Sequence, residues 1–586
     1  MTETKRPHAR RDPVRLSHGS GAAPLVAVTL VILGLAAMFS GGDRSAPVAR
    51  AGQSWWLGVD LVAASPSSAG PAGVIVRRLL VRSPARPAGL LPGDRILSIN
   101  GDPVLFPQDV ESLLKAPVSS GSLDLVVSRG DRTVDLRVAL RTVPDFRRDI
   151  GIVLLILLTV FAGLYLTAFD RVSVVGTGAV LSVIAGTLLG FYDQQAAFGS
   201  IRMGTLSLLL GMGVLTSALE KAGVFTVVAR RISVLADGDW SRLLFFTCVV
   251  TYALSTFVNN LTTILVVLPV TLVLVKELGA DPRPFVTGLI VSSNLGGASS
   301  MVGDFPNMLI ASETDLAFRD FLLYMMPPCL VQLAVTIWFL KKLNAPEPET
   351  AGRPAPLRPE QTSTDKPAKL RPLRMTQSLV VLVAVIVCFL FSGRLGLRPA
   401  TIALAGGFAM LLLWNRAAPR LISGVGCRDL LFFAALFVLV GSAEASGLLD
   451  TVGGWIADLA GGRLLSTCLV LMWVAAVATA FLNAGPTTAL FVPVVKSLGI
   501  ADPSGLLWWS LSLGVCAGSS ATLTGATAGP VALSKLEEFD NEARRKGRTV
   551  SRERLSFASY ARAGVPLMFA FLFISSVYVG LLTACR

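Results

Sequence analysis

From Asp149 to the C-terminus the chain is a succession of apolar runs, each close to the length that crosses a bilayer. They fall near 150–168, 172–190, 203–222, 243–276, 285–311, 322–340, 376–392, 399–415, 429–447, 464–499, 505–533 and 563–583. A helix needs about 20 apolar residues to span the hydrocarbon core, where only helices and closed barrels satisfy their own backbone. Of the 586 residues 53% are hydrophobic and 15% charged, against roughly 25% charged in soluble domains. The pattern predicts an all-α polytopic membrane protein and excludes a long soluble enzyme.

Two histidines occur, His8 and His18, both in the polar N-terminal tail. Haem ligation, zinc-peptidase chemistry and a Ser/His/Asp triad are thereby removed from everything after residue 18. The seven cysteines include no CxxC pair, and none lies between 53 and 143, so a disulfide framework or zinc ribbon is not expected. The reading is a non-enzyme with no metal and no cofactor beyond Na+ or H+ as a coupling ion.

The net charge of +14 is unevenly placed. Residues 1–20 hold five Lys/Arg against two acids, 341–375 eight against four, and 534–562 eight against five. The segments 191–202, 312–321, 448–463 and 500–506 together hold three Arg against seven acids. Basic loops gather on the cytoplasmic side and touch anionic lipid, which accounts for the charge without nucleic acid. The segmentation is a basic cytoplasmic tail (1–21), an apolar segment (22–40), a polar domain (53–143), two membrane halves (150–340 and 376–583) and a Pro-rich charged linker (341–375). The apolar segment fits an uncleaved anchor or a cleaved signal peptide; its length favours the anchor. Either way the polar domain lies outside the cytoplasm, in the periplasm or in the lumen of an intracellular membrane.

Within 53–143 the alternation of Leu123-Asp124-Leu125 and Val134-Asp135-Leu136-Arg137-Val138 around the turn Arg129-Gly130-Asp131 predicts a β-hairpin. The stretch Ser83-Pro84-Ala85-Arg86-Pro87-Ala88-Gly89-Leu90-Leu91-Pro92-Gly93-Asp94-Arg95-Ile96-Leu97-Ser98-Ile99-Asn100-Gly101 resembles the PDZ family in its bacterial protease-associated form. That resemblance implies that Trp56-Leu57-Gly58-Val59 captures a peptide C-terminus in a nest of backbone N–H groups. A spacer domain that binds nothing is the other reading.

The two membrane halves share motifs in the same order. Ser217–Phe225 matches Gly441–Leu449 around Glu220/Glu444 and Gly223/Gly447, and Phe257-Val258-Asn259-Asn260 matches Phe481-Leu482-Asn483-Ala484. Pro269 and Pro493 follow, then Ala-Asp-Pro at 280–282 and 501–503, then Gly296/Gly303 and Gly518/Gly525. Paired motifs of this kind mark a secondary transporter. Placing every strongly basic segment on one side requires 243–276 and 464–499 to be re-entrant hairpins and the two repeats to be inverted, with about eleven spans in all.

Polar residues cluster inside these motifs. In the first half they are Asn259, Asn260, Thr262, Thr263, Asn294, Ser299, Ser300, Asp304 and Asn307, among Gly296, Gly297 and Gly303. In the second they are Asn483, Thr487, Thr488, Ser519, Ser520 and Thr522, with Gly525. Such groups persist at membrane depth where they line a cavity; close helix packing through small residues is the bland alternative. The Gly296-Gly297 pair and Gly303 are expected to unwind a helix, freeing carbonyls for a cation and leaving half-helix N-termini for an anion. Asp304 is a lone intramembrane carboxylate and therefore a candidate for coupling.

Ser255-Thr256-Phe257-Val258-Asn259-Asn260-Leu261-Thr262-Thr263, followed by the segment from Asn294 to Asn307, resembles the arsenite-permease and P-protein branch of the ion transporter superfamily. That branch is similar to NhaD-type antiporters and to dicarboxylate and citrate carriers. The resemblance implies an inverted-repeat carrier with two re-entrant hairpins, a homodimer, and binding residues at the hairpin tips and unwound helices. Phe305 stands where the motif usually has proline, Asn483-Ala484 where it usually has Asp-Asn, and Ser520 and Gly529 where it usually has asparagines.

The expected function is coupled transport of a small inorganic ion or oxyanion across the bacterial inner membrane. The alternative is a transport-inactive scaffold that recruits partners through its PDZ domain; this domain combination is also similar to that of magnetosome membrane proteins.

Overall fold

In the computed structural model, the described residues are 55–142, less 58, 64–73, 80–82, 107–108, 111–112, 114–121, 131 and 140, and 146–584, less 167–169, 279, 344–371, 499–501, 503 and 546–554. The expected basic tail, the apolar segment 22–40, Gly58 and most of the linker lie outside them.

The polar domain is built on β1 (Trp55–Trp56), β2 (Val59–Ala63), β3 (Val74–Leu79), β4 (Arg95–Ile99), β5 (Asp102–Pro103), β6 (Ser122–Arg129), β7 (Arg132–Ala139) and β8 (Arg141–Thr142). The main antiparallel sheet runs in the order β2-β3-β4-β6-β7, with β5 on β4, while β1 pairs with β8. The expected hairpin is β6–β7, closing at Arg129↔Arg132. Leu123, Leu125 and Val127 face a core with Val74, Val76, Ile96 and Ile99, while Asp124 points out. That is the period-2 alternation of a half-buried strand. Asp94 is buried beneath Arg129, which donates from Nε at 2.7 Å and from Nη2 at 2.7 Å. Burial pushes the Asp94 carboxyl up, but these bonds and the Leu91 N–H outweigh it and hold the pKa below the usual value.

The membrane region is helical. Its first half contains α1 (Phe146–Leu166), α2 (Arg171–Leu189), α3 (Gln194–Gly199), α4 (Met203–Ala222), α5 (Val224–Ala236), α6 (Trp240–Ser255), α7 (Asn260–Glu277), α8 (Pro282–Ala298), α9 (Phe305–Glu313) and α10 (Phe318–Leu343). The second contains α11 (Pro372–Leu390), α12 (Ser392–Leu395), α13 (Pro399–Leu413), α14 (Ala418–Gly424), α15 (Cys427–Ala445), α16 (Leu448–Ala460), α17 (Leu464–Leu482), α18 (Ala484–Ser497), α19 (Leu506–Ser519), α20 (Gly529–Arg545) and α21 (Phe557–Ala584). Seven described helices are long and apolar enough to cross a membrane, or nine if each of two bent pairs counts as one span. The expected count of about eleven leaves out α7 and α17, which it assigns to the hairpins, and adds 22–40, α1 and two spans near 285–311 and 505–533. These two are helices broken at 299–304 and 520–528, so each separate piece is short.

The sequence repeat is a structural repeat. α4 to α10 correspond in order to α15 to α21, and the bend after the first helix of each set is a left-handed glycine, Gly223 (φ 82°) and Gly447 (φ 84°). Glycine takes this conformation without a Cβ clash. Contacts at the two ends give the relative direction of the halves. Lys221, near the end of α4, donates to the Arg420 carbonyl just before α15 begins. At the opposite end Arg202, just before α4, pairs with Glu313 at the end of α9, and Glu313 also holds Lys496 near the end of α18. α15 therefore starts where α4 finishes, and the repeats are inverted.

Candidate ion-binding site

In each half a helical hairpin turns against a broken helix. The first hairpin, α6–α7, turns at 256–259; the second, α17–α18, turns on Asn483 alone, which adopts φ 75°. That backbone region is strained for any residue but glycine. Asn259 caps α7, accepting from Leu261 N–H at 2.8 Å. Asn483 caps α18, accepting from Gly485 N–H at 3.3 Å, and donates to Thr524 O at 2.9 Å. These bonds satisfy helix-end groups that lipid cannot.

The breaks are held by equivalent hydroxyls. Ser300 donates to Thr256 O in the first hairpin and accepts from Gly303 N–H at 3.1 Å. Thr522 donates to Ala480 O in the second hairpin at 2.7 Å and accepts from Gly525 N–H at 2.9 Å. Each hydroxyl lies between the two glycines of its motif.

The glycine pair does not unwind the helix. α8 continues through Gly296 and Gly297 to Ala298, and the irregular segment is 299–304. What these glycines supply is close approach. A Cβ on Gly296 would stand 2.3 Å from Tyr252 O, and one on Gly297 would stand 2.5 Å from Asn260 Oδ1 and 2.9 Å from Asp304 Cβ. The hairpin thus presses Asn260 against the break beside Asp304.

Asp304 opens α9, its Oδ1 accepting from Phe305 N–H at 2.9 Å. Asn307 donates to Ala298 O and Ser300 O, each at 2.8 Å, and so occupies two carbonyls freed by the break. Ser255 donates to Asn260 Oδ1 at 2.5 Å, and the buried Asn260 amide faces the Asp304 carboxylate. Ser299 shares a 2.7 Å bond with the Tyr252 hydroxyl. The halves are joined directly: Asn294 donates to Ser519 O at 3.1 Å, and Ser512 donates to Asn307 Oδ1 at 2.6 Å.

Other predicted residues are engaged locally. Thr263, Thr487 and Thr488 donate to carbonyls four residues back in their own helices. Ser519 and Ser520 both donate to Cys516 O, and Thr262 is half-buried on α7. Sequence reasoning missed Ser255, Tyr252, Cys516 and Ser512. They flank the motifs, and no spacing distinguishes Ser512 from the other serines of α19.

Among the described residues, the buried polar side chains of the membrane region include no Lys, Arg or His. Asp304 therefore sits among amides, hydroxyls and backbone carbonyls, an oxygen-rich donor set suited to a hard cation. Among the described residues no three His, Cys, Asp or Glu side chains cluster as a metal site would require.

Paired hairpins meeting broken helices, one pair in each of two inverted halves, define a secondary-transporter architecture. The citrate transporter family model matches residues 152–514 and a PDZ domain model matches 75–121. The chain belongs to the citrate transporter family, and its N-terminal region carries a PDZ domain. The chain is 34% identical over 432 residues to magnetosome protein MamN of Magnetospirillum gryphiswaldense, covering 74% of this chain and 99% of MamN. It is 32% identical over 442 residues to an uncharacterized transporter of Mycobacterium tuberculosis, covering 73% of this chain and 98% of that one. The P protein of Sus scrofa is 27% identical over 454 residues, covering 64% of this chain and 52% of that protein. The expected kinship with P-protein and citrate carriers is borne out.

Proposed function

We propose that this protein is a secondary active transporter that moves a small inorganic cation across a bacterial membrane, with protons or sodium in the coupling. The observation that carries this reading is Asp304: a buried carboxylate at a helix break, beside the buried Asn260 amide, with no ion pair to Lys or Arg among the described residues. An uncompensated carboxylate is costly in the membrane, and a bound cation or proton relieves that cost. An oxyanion or a tricarboxylate would call for positive donors; the buried side chains among the described residues supply none, and the α9 N-terminus is already faced by the Asp304 carboxylate.

The membrane is the inner membrane or, as the name magnetosome protein MamN says for that relative, that of a magnetosome. The PDZ domain faces the periplasm or lumen and takes a peptide C-terminus at Trp56–Val59. Two features support this reading: Ser83 holds the Leu57 carbonyl at 2.8 Å, and among the described residues β2 pairs on one side only, with β3. An edge strand beside such a loop is the geometry of strand addition. The carrier works as a homodimer.

The test is proton flux in everted vesicles, with sodium, lithium, arsenite and citrate added in turn. Asp304→Asn is expected to abolish the response to one cation at unchanged expression. An unchanged response would sink the role given to Asp304. One observation favours a scaffold instead: where Gly303 is followed by Asp304, the equivalent Gly525 is followed by Ala526. Silence of the wild type across the panel would support that reading.

A further inference from the structure

The residue after Asp304 is an aromatic, not the proline usual in the permease motif. Phe305 opens α9 and is 3% exposed. Its ring lies flat on Phe433 of α15, centroids 3.6 Å apart and planes within 10°, with Phe437 at 6.3 Å. The second hairpin tip meets the same rings, since a Cβ on Gly485 would stand 3.1 Å from Phe433 Cε1 and 3.5 Å from Phe305 Cδ1. Direct bonds between the halves, Asn294 to Ser519 and Ser512 to Asn307, join the same break to α19. Asp304 is thus followed directly by the stacked ring and shares its helix break with the Asn307 that these bonds hold.

We propose that Phe305, backed by Phe433, is the specificity-determining side chain of this site: the stacked rings, closed against Gly485, admit a bare inorganic cation to Asp304 and exclude polyatomic ones. This deepens the cation reading above and rests on it. The physical basis is stiffness. A ring stacked on a partner from another helix moves aside only by leaving its rotamer and opening a void, both costly in a close-packed interior. A flexible side chain would yield; a stacked pair does not. Phe433 takes part because it fixes the plane of Phe305, so removing either ring should loosen the same wall.

The test uses the full chain in proteoliposomes, measuring uptake of radiolabelled sodium and tetramethylammonium side by side. Wild type is expected to take up sodium and not tetramethylammonium. Phe305→Ala and Phe433→Ala should each gain tetramethylammonium uptake by about 10- to 100-fold over the wild-type background, the discrimination expected of a small apolar volume change. That gain should vanish when Asp304→Asn is added. Phe305→Leu, which keeps bulk at the position, should give a smaller gain and serves if the alanine variant folds poorly. Wild-type selectivity in folded Phe305→Ala and Phe305→Leu would overturn the proposal, as would tetramethylammonium uptake by the wild type. Failure of the wild type to move sodium or lithium would count against the cation reading alone. Asp304-dependent tetramethylammonium uptake in Phe305→Ala would still uphold the wall.

Discussion

Adding one methyl group to Gly303 and, separately, to Gly525 probes whether the two halves of the repeat do the same work. Neither glycine has a positive φ, so alanine is strained only by what it meets. At Gly303 the new Cβ would stand 2.3 Å from Ser255 O, 2.7 Å from Gly297 Cα and 3.0 Å from Gly297 O, all backbone atoms. Carbon and carbonyl oxygen ordinarily rest no closer than about 3.3 Å, so the first hairpin and the break must part by about 1 Å. That parting pulls on the Ser300 bond to Thr256 O and moves Asn260 away from Asp304. At Gly525 the nearest atoms are Gly518 O at 3.0 Å, Thr479 O at 3.1 Å and Thr522 Oγ1 at 3.1 Å, a shortfall of only about 0.2–0.3 Å. Overpacking of the first kind costs about 1–3 kcal/mol, and about 1.4 kcal/mol is a factor of ten. Gly303→Ala is therefore expected to lower ion flux in vesicles by about 5- to 150-fold at matched expression and to lower the melting temperature of the solubilised protein. Gly525→Ala should stay within about threefold of wild type. Equal losses in the two variants, or a larger loss at Gly525, would refute the argument.

Three further outcomes follow from single contacts. Ser512→Ala leaves Asn307 Oδ1 buried without its 2.6 Å donor, a loss of about 1–3 kcal/mol; thermal unfolding should report it, and flux should fall because Asn307 holds the break. Glu313→Gln weakens the cluster with Arg202 and Lys496. A double-mutant cycle with Arg202→Ala should show a coupling of about 1–3 kcal/mol, and strict additivity would contradict the contact. Asp94 has its pKa held below the ordinary 3.8. Its contribution to PDZ stability is present above that pH and is lost as pH falls through the folded value. The protection factors of β4 and β6 amides in the full chain, their exchange relative to the intrinsic rate at each pH, should fall on acidification below about pH 4, and Asp94→Asn should flatten that dependence.

The sequence alone determined the class of the protein, because it rests on quantities that add along a chain. Apolar run length fixes where helices can cross, loop charge fixes which ends share a side, and the paired motifs at 259 and 483 and at 296–303 and 518–525 fix the repeat. All three are local or periodic, so no tertiary information is needed to read them. The inversion was legible for the same reason, and the contacts of Lys221 and of Glu313 agree with it.

Only the tertiary structure decided what each motif residue does. Gly296 and Gly297 look like helix breakers in sequence, yet they lie inside α8, because the approach of Tyr252 O and Asn260 favours a missing Cβ more than the helix suffers from it. Thr263, Thr487 and Thr488 read as ligands by position, and the structure adds that each hydroxyl donates to a carbonyl four residues back, which aims its lone pairs but not its proton at any ligand. Ser512 and Phe433 carry no signal at all, since each acts on a residue more than a hundred positions away, Asn307 and Phe305. A side chain's work depends on which atom of a distant segment arrives within 3 Å of it, and that is settled by helix packing, which spacing along one segment does not encode.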